Sequence, residues 1–324
     1  YAHILDEHQA LAVGVLADIL SNAVFDPAEM EKEKRVILEE LNTIEETPEE
    51  LIHEIFQKNL FPEHPLGFPV IGKRDNITKF NREGILTYLN ENYTSERLVV
   101  AAAGNVNHDH FANLVEREFQ GIGNRGQRSY IAPNGSFSGK DVVDNGAIQA
   151  HICLGTHAYS YRNRKKFSLL VLNTLLGSGM SSRLFQNIRE KHGLAYSVYS
   201  FVDFMYDTGL FGIYVGTDRE KIDHSLELIT NELDILKKET ISDSELECVK
   251  MQLRGNLILG LESTSSRMNR LAKMEIYLQK YFTLNDTLNE ITNVTADDLM
   301  SVANELFEMN RIQISVLRPR SESA

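Results

Sequence analysis

The sequence predicts an α+β fold of two homologous modules, each a mostly antiparallel or mixed sheet packed with helices. Three observations lead there. A chain of 324 residues with 42% hydrophobic content is long enough for two ordinary cores. Helix-period stretches alternate with short runs rich in β-branched and aromatic residues. The halves also repeat. Ile77–Arg97 aligns without a gap on Ile291–Arg311, sharing Ile77/Ile291, Thr78/Thr292, Asn90/Asn304, Glu91/Glu305 and Arg97/Arg311. Phe25–Met30 falls on Ile241–Leu246 at almost the same offset, with the helix-capping residues in register. This is a duplication spanning most of the chain, not a short solenoid repeat. The expected organisation is a first module over 1–120, a Gly-, Asn-, Ser- and Arg-rich linker over 121–146, and a second module over 147–324.

In chain order, Tyr1–Leu5 reads as a strand, and Asp6–Asn22 carries helical periodicity through Leu11, Val15, Leu16 and Leu20. Asp26–Ile44 has the best helix signal, with Asp26 at the N-cap, Pro27 at the first helical position and Glu29 where a capping box would close. Thr47-Pro48-Glu49-Glu50 opens another helix through Leu51, Ile55 and Phe56, and the prolines and glycines of Phe61–Gly72 make a loop. A helix over Asn81–Tyr93, a strand over Leu98–Ala103 and a helix over His108–Phe119 complete the first half. The second half reads as a strand at Ala150–Gly155, helices over Lys165–Leu176 and Ser182–Lys191, and two strands within Tyr196–Val215 parted near Asp207-Thr208-Gly209. Helices follow over Arg219–Lys238, Ser242–Leu261, Arg267–Leu278 and Thr295–Phe307, and Arg311–Leu317 closes as a strand.

The acidic helix carries the first site candidates. At about 100° per residue, Met30, Ile37, Leu41 and Ile44 fall within about 60° of one another. Glu33 and Glu40 lie about 20° apart and between Val36 and Ile37, so both are expected to point inward. An inward carboxylate must be hydrogen-bonded, paired with a cation or bound to metal. The pair is therefore a site, or else it flanks the core and reaches solvent beside a snorkelling Lys34. The second copy places Val249 and Asn256 at these positions, so the fold itself does not require the two carboxylates.

The formal charge of −13 argues against a nucleic-acid surface. Much of it is local, since Asp26–Ile55 holds eleven acids and three bases. Cys153 and Cys248 are too few for a disulfide framework, which favours a reducing compartment and a cytoplasmic location. No apolar run approaches the roughly 18 residues of a membrane span. His108-Asp109-His110 reads as solvated polar residues at a strand-to-helix junction, and His53 as a surface residue among acids. Ser181-Ser182 lacks the His and Asp spacing of a hydroxyl nucleophile.

Taken together, these residues resemble the pitrilysin/insulinase family of zinc metallopeptidases, the inverzincins, and are most similar to its mitochondrial processing peptidase-like two-domain branch. Glu31-Lys32-Glu33-Lys34-Arg35-Val36-Ile37-Leu38-Glu39-Glu40-Leu41 is similar to the family helix with two glutamates seven apart. Ser181-Ser182-Arg183-Leu184-Phe185, Ile188-Arg189-Glu190 and Gly193-Leu194-Ala195-Tyr196 resemble its second-domain signature, and His64-Pro65-Leu66-Gly67 with Gly72 also fits.

The resemblance implies two modules facing each other across a chamber and hydrolysis of peptides or unfolded polypeptides by a zinc endopeptidase. Glu40 would be a zinc ligand, Glu33 a supporting carboxylate, and Arg189 and Tyr196 would hold the substrate backbone. The peptide would add as a strand to a sheet edge. The implied partners are a peptide substrate and either a second copy or a related subunit, with no nucleic acid and no membrane. The family's His-x-x-Glu-His motif is missing, for no two of the ten histidines lie four apart. The counterpart of about 147–207 is likewise not found before Tyr1. The remaining zinc ligands are thus expected outside the given residues, which alone would be inactive. The alternative is a non-catalytic partner or scaffold subunit of the same fold.

Overall fold

The computed structural model describes residues 1–123, 130–133 and 138–320. They pack into two compact units, each assembled from separated stretches. The first comprises Tyr1–Leu41, Ile71–Tyr130 and Ile258–Tyr281; the second comprises Asn42–Val70, Ile131–Leu257 and Phe282–Ala324.

The helices of the first half are α1 (Gln9–Ser21), α2 (Pro27–Glu46), α3 (Pro48–Leu60), α4 (Arg74–Lys79), α5 (Arg82–Asn92) and α6 (His108–Glu118). Asp26 caps α2 as expected, its Oδ1 accepting from the amides of Ala28 at 2.9 Å and Glu29 at 3.1 Å. The Glu29 side chain does not complete a capping box; it pairs with Lys32 at 2.5 Å. In the first unit α1 packs on α6, and Val13, Ala17, Leu41, Ile77, Leu114 and Met274 form the buried interior.

Two expected strands of this unit are not ladder strands. Tyr1–Leu5 is irregular and exposed. Leu98–Ala103 is irregular, without a pairing partner among the described residues, and borders cavities of about 760 and 570 Å³. A β-prone sequence becomes a strand only where a neighbour supplies the ladder hydrogen bonds. The expectation of one sheet per module is therefore corrected: the described residues contain one sheet, and it lies in the second unit.

That sheet has five strands, β1 (Gly139–Asn145), β2 (Ala150–Ala158), β3 (Ala195–Phe204), β4 (Gly209–Thr217) and β5 (Gln313–Pro319), in the order β1-β5-β2-β4-β3. β1 runs parallel to β5, and the other pairs are antiparallel. The mixed sheet agrees with the α+β expectation. β1, however, lies inside the stretch expected to be linker, where exposed polar residues such as Lys140 and Asp141 conceal an edge strand. The other helices are α7 (Lys166–Gly177), α8 (Ile222–Lys238), α9 (Asp243–Gly260), α10 (Thr264–Leu278), α11 (Leu284–Thr292) and α12 (Ala296–Leu306).

β4 is buried along its whole length, so it reads as a continuous apolar run rather than an alternating one. Its period of two still sorts the side chains. Phe211, Ile213 and Val215 join the core built with α7, α8 and α12, while Leu210 and Tyr214 meet Ile52, Phe56 and Leu60 of α3. The sheet is thus covered on both faces. α7 lies close to β3 because Gly177 has no side chain; a Cβ there would come within 2.1 Å of the Ser200 amide nitrogen.

Candidate functional site

α2 presents Glu33 and Glu40 on one side, but both carboxylates are exposed and neither forms a hydrogen bond or ion pair among the described residues. The inward orientation is corrected. The covered seam of α2 runs through Met30, Lys34, Ile37, Leu38, Leu41 and Ile44, so its centre lies on the Leu41 and Lys34 side of Ile37. Val36, taken as the other flank of the apolar arc, is 49% exposed. Lys34 snorkels along the seam, with 16% side-chain exposure and its ammonium 2.6 Å from Glu31. Seven residues place Glu33 and Glu40 about 10 Å apart along the axis, too far to hold one ion together.

Arg189 and Tyr196, by contrast, are brought together. The residues before β3 form a π-type turn over Phe185–Lys191. It ends at Gly193, which adopts φ 59° while its amide donates to Arg189 O at 3.1 Å and the Leu194 amide donates to Ile188 O at 3.0 Å. A π-turn inserts an extra residue per turn and re-aims the side chains around it. Here it sets the Arg189 guanidinium 4.9 Å from the centre of the Tyr196 ring. Tyr196 sits at a register shift between Ala195 and Ser197 at the start of β3, an edge strand that pairs only with β4 among the described residues, and is 78% exposed. The bulge frees its side chain from the alternation that would turn it onto the sheet face. Of the ordinary alternatives for these two residues, the ion pair is present, Arg189 Nε lying 4.0 Å from Glu190, whereas Tyr196 is exposed rather than packed.

Arg183, in the same signature, has a different place. Its guanidinium donates to both carboxylate oxygens of Glu245, at 2.8 and 2.7 Å, and to Glu232 at 3.0 Å. It pins the segment preceding the π-turn to α8 and α9. The Glu245 carboxyl is held below its usual range by these hydrogen bonds.

A polar group that sequence reasoning missed lies between α3 and the sheet. His53 is half-buried, not a surface residue: its Nε2 lies 3.0 Å from the Tyr199 hydroxyl, and its ring stacks on Tyr214 at 5.5 Å. His151 Nδ1 meets the Tyr214 hydroxyl at 2.8 Å, and His157 Nε2 donates to Leu60 O at 2.7 Å. The only sequence signal was position, since His53 shares a helix face with Ile52 and Phe56 while His151 and His157 occur in a strand.

Burial lowers the pKa of His53, His151 and His157 because desolvation disfavours the imidazolium; Glu49 opposes this at the first two and the Leu60 carbonyl at the third. In the unfolded chain the imidazoles take up protons near pH 6.5, protons that the native state refuses. Stability is therefore full above that pH and declines as pH falls toward the depressed native values. The urea midpoint is expected to drop between pH 7.5 and pH 5.5, and to drop less in a His53→Gln, His151→Gln, His157→Gln variant. Equal slopes would remove these histidines from the effect. Glu54, raised by burial and by Glu45 and Glu50, works in the opposite direction at lower pH.

No group of three or more His, Cys, Asp or Glu side chains among the described residues could hold a metal ion. An exposed single carboxylate such as Glu40 does not make a zinc site, so these residues by themselves do not fit the metal. What the arrangement does offer is a cation whose N–H groups form no hydrogen bond among the described residues and a phenol beside the terminal strand of the sheet, donors suited to carbonyl or carboxylate oxygens.

Known proteins share this organisation. Residues 1–74 match the model of the insulinase family, peptidase family M16, and residues 79–253 match that of the peptidase M16 inactive domain. The chain is 37% identical over 307 residues to the uncharacterized zinc protease YmxG of Bacillus subtilis, covering 95% of this chain and 75% of that protein. It is also 37% identical over 325 residues to an uncharacterized zinc protease of Mycobacterium tuberculosis, covering 98% and 74%. In fold it is similar to the crystal structure of a protease from Helicobacter pylori, with a TM-score of 0.86, 22% identity, and 97% and 77% of the two chains covered. A peptidase M16 inactive domain from Pseudomonas fluorescens superposes with a TM-score of 0.89 at 18% identity, covering 97% and 76%.

Proposed function

Since the chain belongs to peptidase family M16, we propose that it is the peptide-holding part of a zinc-dependent endopeptidase, with Arg189 and Tyr196 as the groups that hold the substrate backbone. The observation that carries this reading is the Arg189 guanidinium set over the ring of an exposed tyrosine, with no hydrogen bond to the guanidinium among the described residues. A peptide laid along the outer edge of β3 would gain main-chain hydrogen bonds there, while guanidinium and phenol donate to its carbonyl oxygens. Such binding selects extended backbone more than side chains, which suits peptides and unfolded polypeptides.

Glu40 is the ligand this chain would contribute to zinc, and Glu33 would orient a neighbouring ligand. The remaining ligands would come from outside these residues. A second reading, a non-catalytic partner or scaffold subunit of the same fold, draws on the lack of a metal-holding group among the described residues.

The test is the affinity of a fluorescein-labelled unstructured peptide, measured by anisotropy. Arg189→Ala is expected to weaken binding by about tenfold, the scale of a lost charge-assisted hydrogen bond. Unchanged affinity would remove Arg189 from the peptide site.

A further inference from the structure

We propose that Phe185 is a positioning residue for Arg189, the fixed wall that holds the guanidinium in plane. The inference rests on the reading that Arg189 meets the peptide backbone. Arg189 Cζ lies over two aromatic rings, 4.8 Å from the centre of Phe185 and 4.9 Å from that of Tyr196. The two walls differ in kind. Tyr196 is 78% exposed and has little to fix its rotamer, whereas Phe185 is partly buried and packed against the core that includes Leu184 and Ile188. Phe185 stands four residues before Arg189 in the π-turn, so the turn itself sets the ring beside the guanidinium.

No carboxylate shares that role. Glu190, the one acid beside Arg189 among the described residues, is 4.0 Å from its Nε, too long for a strong hydrogen bond. The contacts that set the cation are thus the two rings, and its N–H groups form no hydrogen bond among the described residues. An arginine clamped by a carboxylate has fewer donors to offer a substrate; one held by ring faces keeps all of them. Holding the side chain before the peptide arrives also lowers the conformational entropy lost on binding. Removal of the Phe185 ring leaves the charge in place and loosens its direction.

The experiment is a double-mutant cycle in the full chain, read by binding of the same fluorescein-labelled peptide. Phe185→Leu is expected to weaken binding by about three- to tenfold, Phe185→Tyr to restore it, and Phe185→Leu to add nothing on an Arg189→Ala background. The Nε–Hε resonance of Arg189 supplies a readout that a general packing role would not move. Ring current should displace it in wild type and Phe185→Tyr, and the displacement should shrink in Phe185→Leu. If Arg189→Ala binds as wild type does, the peptide-holding reading fails. If Arg189→Ala is weak while Phe185→Leu is normal, the positioning role fails and the reading stands. Equal weakening by Phe185→Leu on both backgrounds, or an unmoved resonance, also overturns the positioning role.

Discussion

Under the proposed function, Glu40→Gln is expected to lower peptide turnover by at least about a hundredfold, with the unfolding midpoint of the chain unchanged. The two halves of that expectation come from different facts. Glu40 is exposed and unbonded among the described residues, so amide for carboxylate at that position removes no structural contact. Its proposed work lies outside the chain's own packing, as one ligand of a zinc whose other ligands these residues do not supply. Zinc content should fall with turnover, because a neutral amide is a much poorer ligand than a carboxylate. Glu33→Gln should cost less, about tenfold, since an orienting group acts through another residue. Measurement needs turnover of an unstructured peptide and zinc stoichiometry on the same preparations. Equal turnover in wild type and Glu40→Gln would remove Glu40 from the mechanism and favour the partner-subunit reading.

Arg183→Ala is expected to destabilise the sheet-containing unit by about 3 kcal/mol or more, the scale for breaking a largely buried ion pair by removing one partner. The substitution strands two carboxylates at once. Glu232 has only 10% side-chain exposure and Glu245 35%, so water replaces the lost guanidinium poorly at the first. The bidentate contact to Glu245 depends on a planar fork, so Arg183→Lys should recover only part of the loss. The damage should spread to function, because this clamp holds the segment that leads into the π-turn bearing Phe185 and Arg189. Urea unfolding followed by circular dichroism would check the magnitude; a midpoint close to wild type would show that the clamp is a surface ion pair in effect.

The sequence was informative wherever a local rule decided the outcome. Asp26 and Pro27 located the start of α2 because capping is settled within one turn. The apolar run Leu210–Val215 was legible as β4, and Asp207-Thr208-Gly209 as the break before it. α11 went unrecognised although Thr283 and Asp286 form a reciprocal capping box, as Thr295 and Asp298 do for α12. That signal was present and unused.

Features decided by neighbours distant in sequence were not legible. Val99–Ala103 and Gln313–Leu317 occupy equivalent places in the repeat, yet among the described residues only the second has ladder partners. Glu33 and Glu40 were misplaced because helix periodicity gives the azimuth of a residue but not which part of an apolar arc is covered. His53 was misread because its burial depends on Tyr199 and Tyr214, more than a hundred residues away. For Arg189 and Tyr196 the spacing was visible, whereas the π-turn and the bulge that stack them were not.

The proposed peptide site is the Arg189 and Tyr196 corner of β3. Its most direct test is photo-crosslinking with an unstructured peptide carrying a central benzophenone, followed by mass-spectrometric mapping of the attachment sites. Attachment is expected within Phe185–Lys191 and along Ala195–Phe204, lost when excess unlabelled peptide competes. Competable attachment elsewhere, with both of those segments unlabelled, would contradict it.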